Sequence, residues 1–157
     1  MDTKKIQHLM TTICQSSAVD TDTNSLSLFN IIEEINVNLK PLNNQLIDQK
    51  EKKSIPFPFE LVSVWTKLID GDVSSEIKFS LIDPLGEVIQ EIPHNLEIKS
   101  THQRMRIRIK VNGIVVTKPG QYFYLVELKS KNGFTEVSKI PLTIKIPVST
   151  DLNIFKK

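Results

Sequence analysis

From Phe57 onward apolar and polar residues alternate in short runs separated by turn residues, the period-two pattern of half-buried β-strands. Phe59, Leu61, Val62, Val64 and Trp65 form a β-prone run ending near Asp70-Gly71-Asp72. Ile77, Phe79 and Leu81 alternate with Lys78 and Ser80 up to Asp83-Pro84-Leu85-Gly86, where proline at the second turn position presets φ and glycine at the fourth suits a type I turn. Residues 87–92 read as a short edge strand. Next, Arg104, Arg106, Arg108 and Lys110 alternate with Met105, Ile107, Ile109 and Val111, which gives one strand a cationic face and an apolar face. Asn112-Gly113 and Pro119-Gly120 punctuate the chain, and Tyr122 to Leu128 is a strongly apolar strand. Asn132-Gly133 is a hairpin signal leading into a last strand over Val137 to Ile146.

The first third carries a weaker pattern. Ile6 to Ser17 reads as a strand, and Asp20 to Ser25 as a turn. Leu28, Ile31, Ile32 and Ile35 fit a helical stripe, yet Phe29, Ile31, Ile35 and Val37 fit period two, and the strand-rich context favours a strand. Residues 38–55, with Pro41 and the Lys50-Glu51-Lys52-Lys53 run, read as an exposed connection with room for a short helix near Leu42 to Gln49. The expected fold is all-β: an antiparallel β-sandwich of about eight strands in one domain over residues 1–150, with a tail at 151–157.

At 157 residues and 39% hydrophobic content, the chain is long enough for one well-filled core and short for two. A net charge of +2 excludes strong attraction of the whole chain to nucleic acid or anionic lipid, so any electrostatic role is local. The charge asymmetry lies between Lys99 and Lys118, where basic residues at 99, 104, 106, 108, 110 and 118 meet no acid. Cys14 is the only cysteine, which excludes an intrachain disulfide and a cysteine-based zinc site. Lys4 and Lys5 ahead of Ile6, Leu9 and Ile13 imitate a signal peptide, but Gln7, His8, Thr11 and Thr12 interrupt the apolar stretch. No run reaches the roughly 20 apolar residues of a membrane-spanning helix, and a reducing cytoplasm is the expected compartment.

Ile13-Cys14-Gln15 with Val19-Asp20, the run from Thr23 to Phe29, the Asp83-Pro84-x-Gly86 turn, the Pro119-Gly120-x-Tyr122 strand entry and a closing apolar strand together resemble a family of small bacterial proteins catalogued only as a domain of unknown function. The resemblance spans most of the chain. It implies an immunoglobulin-like or C2-like sandwich and carries over no catalytic residue.

Arg104, Arg106, Arg108 and Lys110 are the candidate anion-binding residues. Guanidinium groups offer paired donors to phosphate or carboxylate, and alternate strand positions lie about 7 Å apart. The structural alternative is a solvated face whose arginines pair with cross-strand glutamates. No aromatic residue lies between Phe79 and Tyr122, which weakens a base-stacking nucleic-acid site. Asp20-Thr21-Asp22-Thr23-Asn24 copies the start of a calcium loop, but Ser25 replaces the glycine and Ile31 the closing glutamate, so these residues read as a turn. His8, His94 and His102 lack metal-motif spacing, and neighbouring Glu33 and Glu34 on a strand point to opposite faces. Cys14 and Trp65 read as core residues, and Tyr122 after Pro119-Gly120 as a tyrosine corner. No catalytic motif and no cofactor motif emerges. The expected function is a non-enzymatic interaction or accessory module with a protein partner; the alternative is binding of an anionic ligand or nucleic acid by the cationic strand.

Overall fold

The computed structural model describes residues 4–37 and 53–146. Every regular element in them is a strand: β1 (Ile6–Val19), β2 (Leu26–Ile31), β3 (Glu34–Asn36), β4 (Lys53–Lys67), β5 (Val73–Ile82), β6 (Val88–Ile98), β7 (Arg104–Val116), β8 (Gly120–Ser130) and β9 (Gly133–Lys145). They form a four-stranded sheet in the order β2-β1-β4-β7 and a five-stranded sheet in the order β3-β9-β8-β5-β6. Alternate residues of both sheets enter one core: Ile13, Leu61, Trp65 and Ile107 from the first, and Phe79, Tyr122, Tyr124 and Leu142 from the second. Trp65 is fully buried, as its place in an apolar run implies.

Several boundaries differ from the sequence reading. Residues 26–37 are strand but not one strand: β2 ends at Ile31, and β3 joins the other sheet, pairing with β9 in parallel, so the fold is not wholly antiparallel. The break follows Asn30, whose φ of 51° ends the extended run. The Ile32 N–H then donates to Ile13 O, while Glu33 O accepts from the Thr143 N–H in the second sheet. The apparent apolar stripe is thereby split, with Phe29 and Ile31 exposed and Ile35 and Val37 in the core. Asn112-Gly113 is no turn. β7 runs through it, and a Cβ on Gly113 would sit 3.0 Å from Ile55 O where the register with β4 shifts between Pro56 and Phe59. Residues 53–55, assigned above to the exposed connection, belong to β4, and the short edge strand at 87–92 extends to Ile98 as β6. The helix near Leu42 to Gln49 and the tail at 151–157 lie outside the described residues.

The two turn motifs of the family resemblance meet in space. Asp83 is buried in the β5–β6 turn, where its Oδ1 accepts the Leu85 and Glu87 N–H groups, each at 2.9 Å. Its Oδ2 accepts the Thr117 hydroxyl at 2.9 Å, which ties this turn to the β7–β8 connection. Tyr122 closes that connection: its oxygen accepts the Thr117 and Lys118 N–H groups and donates to Lys118 O at 2.6 Å. This is the arrangement expected of a tyrosine corner. Gly120 must be glycine here, with φ of 145° and a Cβ position only 2.9 Å from the Pro84 ring.

Burial pushes the Asp83 carboxyl up, but the bonds from the Glu87 N–H, the Thr117 hydroxyl and the Leu85 N–H outweigh it and hold the group below the usual aspartate range. A depressed carboxylate stabilises the fold fully above its unfolded pKa of about 4 and loses that contribution as pH falls through the folded value. Asp83→Asn is expected to cost about 1 to 3 kcal/mol near neutral pH and to flatten the acid limb of stability against pH in denaturant titrations.

Candidate functional site

The cationic strand takes its face from its register. β7 is an edge of the four-stranded sheet, and on its outer face Arg104, Arg106, Arg108 and Lys110 lie opposite Thr66, Val64, Val62 and Glu60 of β4. Met105, Ile107, Ile109 and Val111 face the core, as the alternation requires.

That outer face is covered. The Arg108 guanidinium donates from Nε to Ser17 Oγ and from Nη2 to Ser17 O, both at 2.7 Å. Arg106 donates from Nη1 to Asn24 Oδ1 at 2.9 Å and from Nη2 to Asn24 O at 2.7 Å. Ser17 and Asn24 belong to the β1–β2 hairpin, and β4 lies between β1 and β7 in the sheet. These contacts place the distal half of the hairpin across the outer face rather than beside it. Burial agrees: Ser17 is buried and Val19, Leu26 and Leu28 are partly so, while Ser16, Ala18, Ser27 and Phe29 are exposed. Beneath the hairpin, Val62 is 0% and Val64 8% exposed, although both share the arginine face.

Glu60 is buried in the same layer, where it accepts the Ser17 hydroxyl and lies 3.7 Å from Arg108 Nε. The expected arginine–glutamate pairing therefore exists on the diagonal, as one part of a clamp. Arg104 and Lys110 have no ion-pair or hydrogen-bonding partner for their side chains among the described residues. Cys14, fully buried opposite Glu60, has its thiol pushed up by burial and by the Glu60 charge, with Arg108 opposing; a protonated, enclosed thiol is a packing residue.

The calcium-like run is the tip of this hairpin. Asp20 Oδ1 accepts the Asp22 and Thr23 N–H groups at 2.9 and 2.7 Å, and these bonds lower its pKa, the Thr23 bond most. Asn24 sits at φ of 56°, with its N–H on Asp20 O. The other loop aspartates have their own donors: Asp72 accepts the Ser100 N–H at 2.6 Å, and Asp83 is the buried lock. Among the described residues no group of three or more His, Cys, Asp or Glu is placed to hold a metal ion. His8 bonds Thr11 Oγ1 and packs edge-on against Trp65 with ring centroids 4.8 Å apart; burial, with Lys4 nearby, lowers its pKa and keeps it neutral. Glu34 pairs with Lys145 at 2.8 Å.

The structure also assembles basic residues that the sequence reading left apart. A cleft of about 1000 Å³ lies between the start of β1 and the β8–β9 hairpin, with Lys4 and Lys5 contributed by one element and Lys129 and Lys131 by the other. Ile6, Leu128 and Val137 supply its apolar surface, and Glu136 is the one carboxylate in its lining. Lys129 also pairs with Glu76 at 2.5 Å. The available signal was two short lysine clusters near the ends of strands that prove to be neighbours.

No protein-family model matches the chain. No curated protein matches it either. Among solved structures, dimeric latent PorU from Porphyromonas gingivalis is similar at 12% identity over 59% of this chain and 13% of that one, with a TM-score of 0.35. A β-glucosidase, EmGH1 from Erythrobacter marinus, is similar at 11% identity over 59% and 15% of the two chains, with a TM-score of 0.33. The N-terminal domain of PorA gives 8% identity over 87% and 97%, with a TM-score of 0.23. The chain spans a small part of the first two proteins, and at these scores no property is carried over from any of the three.

The clamp has a measurable energy. Arg108→Ala is expected to cost about 1.5 to 3 kcal/mol, because it removes two charge-assisted hydrogen bonds and strands the buried Glu60. Arg104→Ala, on the same strand face, is expected to leave the denaturation midpoint unchanged.

Proposed function

We propose that this chain is a non-enzymatic interaction module on an immunoglobulin-like or C2-like sandwich, belonging with the small bacterial family its motifs resemble and working in a reducing cytoplasm. Among the described residues no helix is long and apolar enough to cross a membrane. The side chains that could carry chemistry are engaged in local structure: Cys14 is enclosed, Asp20 and Asp83 form turns, and Arg106 and Arg108 clamp a hairpin. The family-like motifs also serve the fold, through the Asp83–Thr117 and Tyr122–Lys118 bonds.

The observation that carries the reading is an unfinished sheet edge. β2 pairs β1 only over Cys14–Val19, so on that side the stretch from Ile6 to Thr12 has no strand partner among the described residues. The edge strand β6 carries the usual protection in Glu91, Pro93 and Glu97 and the edge strand β7 in Arg104 and Lys110, whereas the edge strand β2 has neither charge nor proline and exposes Phe29 and Ile31. The open stretch of β1 has neither proline nor charge and exposes Leu9 (43%) and Met10 (36%). Unprotected edges of this kind are where a partner strand adds. A second reading, anion binding by the cationic strand, is narrowed to Arg104 and Lys110, since the guanidinium groups of Arg106 and Arg108 are engaged by Asn24 and Ser17.

Site-directed photocrosslinking in the native cell tests the module. Benzoylphenylalanine in place of Gln7 is expected to give a discrete protein adduct, and in place of Asn95 on the far edge strand to give none. Absence of an adduct from both positions contradicts the reading.

A further inference from the structure

The chain contains two Asn-Gly pairs, and the fold puts them in opposite settings. Asn112-Gly113 lies inside β7, where the ladder with β4 continues on both sides and Gly113 stands opposite Pro56. A Cβ on Gly113 would lie 3.0 Å from Ile55 O and 3.3 Å from Ser54 Oγ, so the backbone here is pressed against β4. Asn132-Gly133 belongs to the β8–β9 hairpin, where Lys131 and Asn132 span the turn and Ser130 pairs with Gly133 across it. Asn132 and Gly133 are both exposed. Gly133 has φ of 108°, and nothing lies within 4 Å of the place its Cβ would take.

We propose that Asn132 is a site of spontaneous deamidation, and that Asn112, followed by the same residue, is protected by its strand. The reaction needs only water. The Gly133 backbone nitrogen attacks Asn132 Cγ; the new C–N bond forms, the Cγ–Nδ2 bond breaks, and Nδ2 leaves as ammonia with the proton of the Gly133 N–H. Water then opens the resulting five-membered succinimide. Attack at the main-chain carbonyl gives isoaspartate, and attack at Cγ gives aspartate. Nothing is oxidised or reduced.

Glycine hinders this attack least, because it carries no Cβ, and it follows both asparagines. The backbone therefore decides between the two sites. Ring closure turns the ψ of the asparagine away from its extended and helical values and engages the nitrogen of the next residue. In β7 that rotation breaks a strand paired with β4 from Arg104 to Val116 and disturbs the close approach of Gly113 to Ile55 O. At the hairpin it disturbs the turn alone, whose closing bonds are Ser130 Oγ to Gly133 O at 2.8 Å and Asn132 N–H to Ser130 Oγ at 3.4 Å. Loop tips open at far lower free energy than paired strands. The product carries a carboxylate where the hairpin has a neutral amide, and isoaspartate also lengthens the main chain of the turn by one methylene.

The experiment holds the full chain in warm, mildly alkaline buffer, because loss of the amide proton speeds the attack. Samples are digested at acidic pH and read by mass spectrometry, with electron-transfer fragmentation to separate isoaspartate from aspartate. In the folded chain residue 132 is expected to convert at least about tenfold faster than residue 112. In urea, where only the shared Asn-Gly sequence remains, the two are expected to convert at similar rates. Asn132→Gln is expected to remove the fast conversion from the hairpin fragment. Conversion of residue 112 as fast as residue 132 in the folded chain would overturn protection by the strand. A folded chain that keeps Asn132 intact while the denatured chain converts would overturn the site, as would a mass gain that persists in the hairpin fragment of the Asn132→Gln chain.

Discussion

Two guanidinium groups hold a hairpin across the outer face of the four-stranded sheet, and the character of that face follows from them. A β-strand lined with arginine would ordinarily present a row of solvated charge. Here Arg106 and Arg108 reach over β4 and each donates two hydrogen bonds to the β1–β2 hairpin. Guanidinium suits this task, because its planar donors satisfy a side-chain oxygen and a backbone carbonyl of one residue together. The result is a second apolar layer, outside the main core, in which Val62, Val64 and Cys14 are covered. The same layer encloses Glu60, a charge that is tolerable there because Ser17 and Arg108 accompany it.

The clamp explains why the most conspicuous pattern in the sequence does not reveal what lies over that face. Alternation along residues 104–111 correctly separates the core face from the outer face, since strand geometry fixes it locally. What lies over the outer face depends on Ser17 and Asn24, 91 and 82 residues earlier in the chain, and their hydroxyl and amide carry no pattern that marks arginine partners. The division of residues 26–37 between two sheets was hidden for a similar reason. Phe29, Ile31, Ile35 and Val37 keep period two, but a positive φ at Asn30 redirects the chain between the two pairs. Gly113 misled in the opposite sense, as a turn signal that in fact serves close backbone approach within a long strand. The lysine cleft was legible only as two clusters of charge, because the neighbouring of β1 and the β8–β9 hairpin is a property of the assembled sheets.

Polar chemistry is distributed unevenly over the molecule. The β5–β6 turn and β7–β8 connection are joined by Asp83, Thr117 and Tyr122, with buried groups supplied with partners. The hairpin tip is closed by Asp20 and anchored by Arg106. Beside these finished regions, the start of β1 keeps one edge open next to a basic cleft with an apolar floor. Open, uncharged edge in the four-stranded sheet is therefore found along the start of β1 and along β2.

Hydrogen exchange across the hairpin tests the clamp most directly. In the doubly substituted Arg106→Gln and Arg108→Gln chain, amides of residues 16–31 are expected to exchange at least about tenfold faster than in the unaltered chain, while β5, β8 and the β4–β7 ladder keep their protection. Unchanged protection of the hairpin would contradict the clamp and return the arginine strand to the role of an open cationic surface.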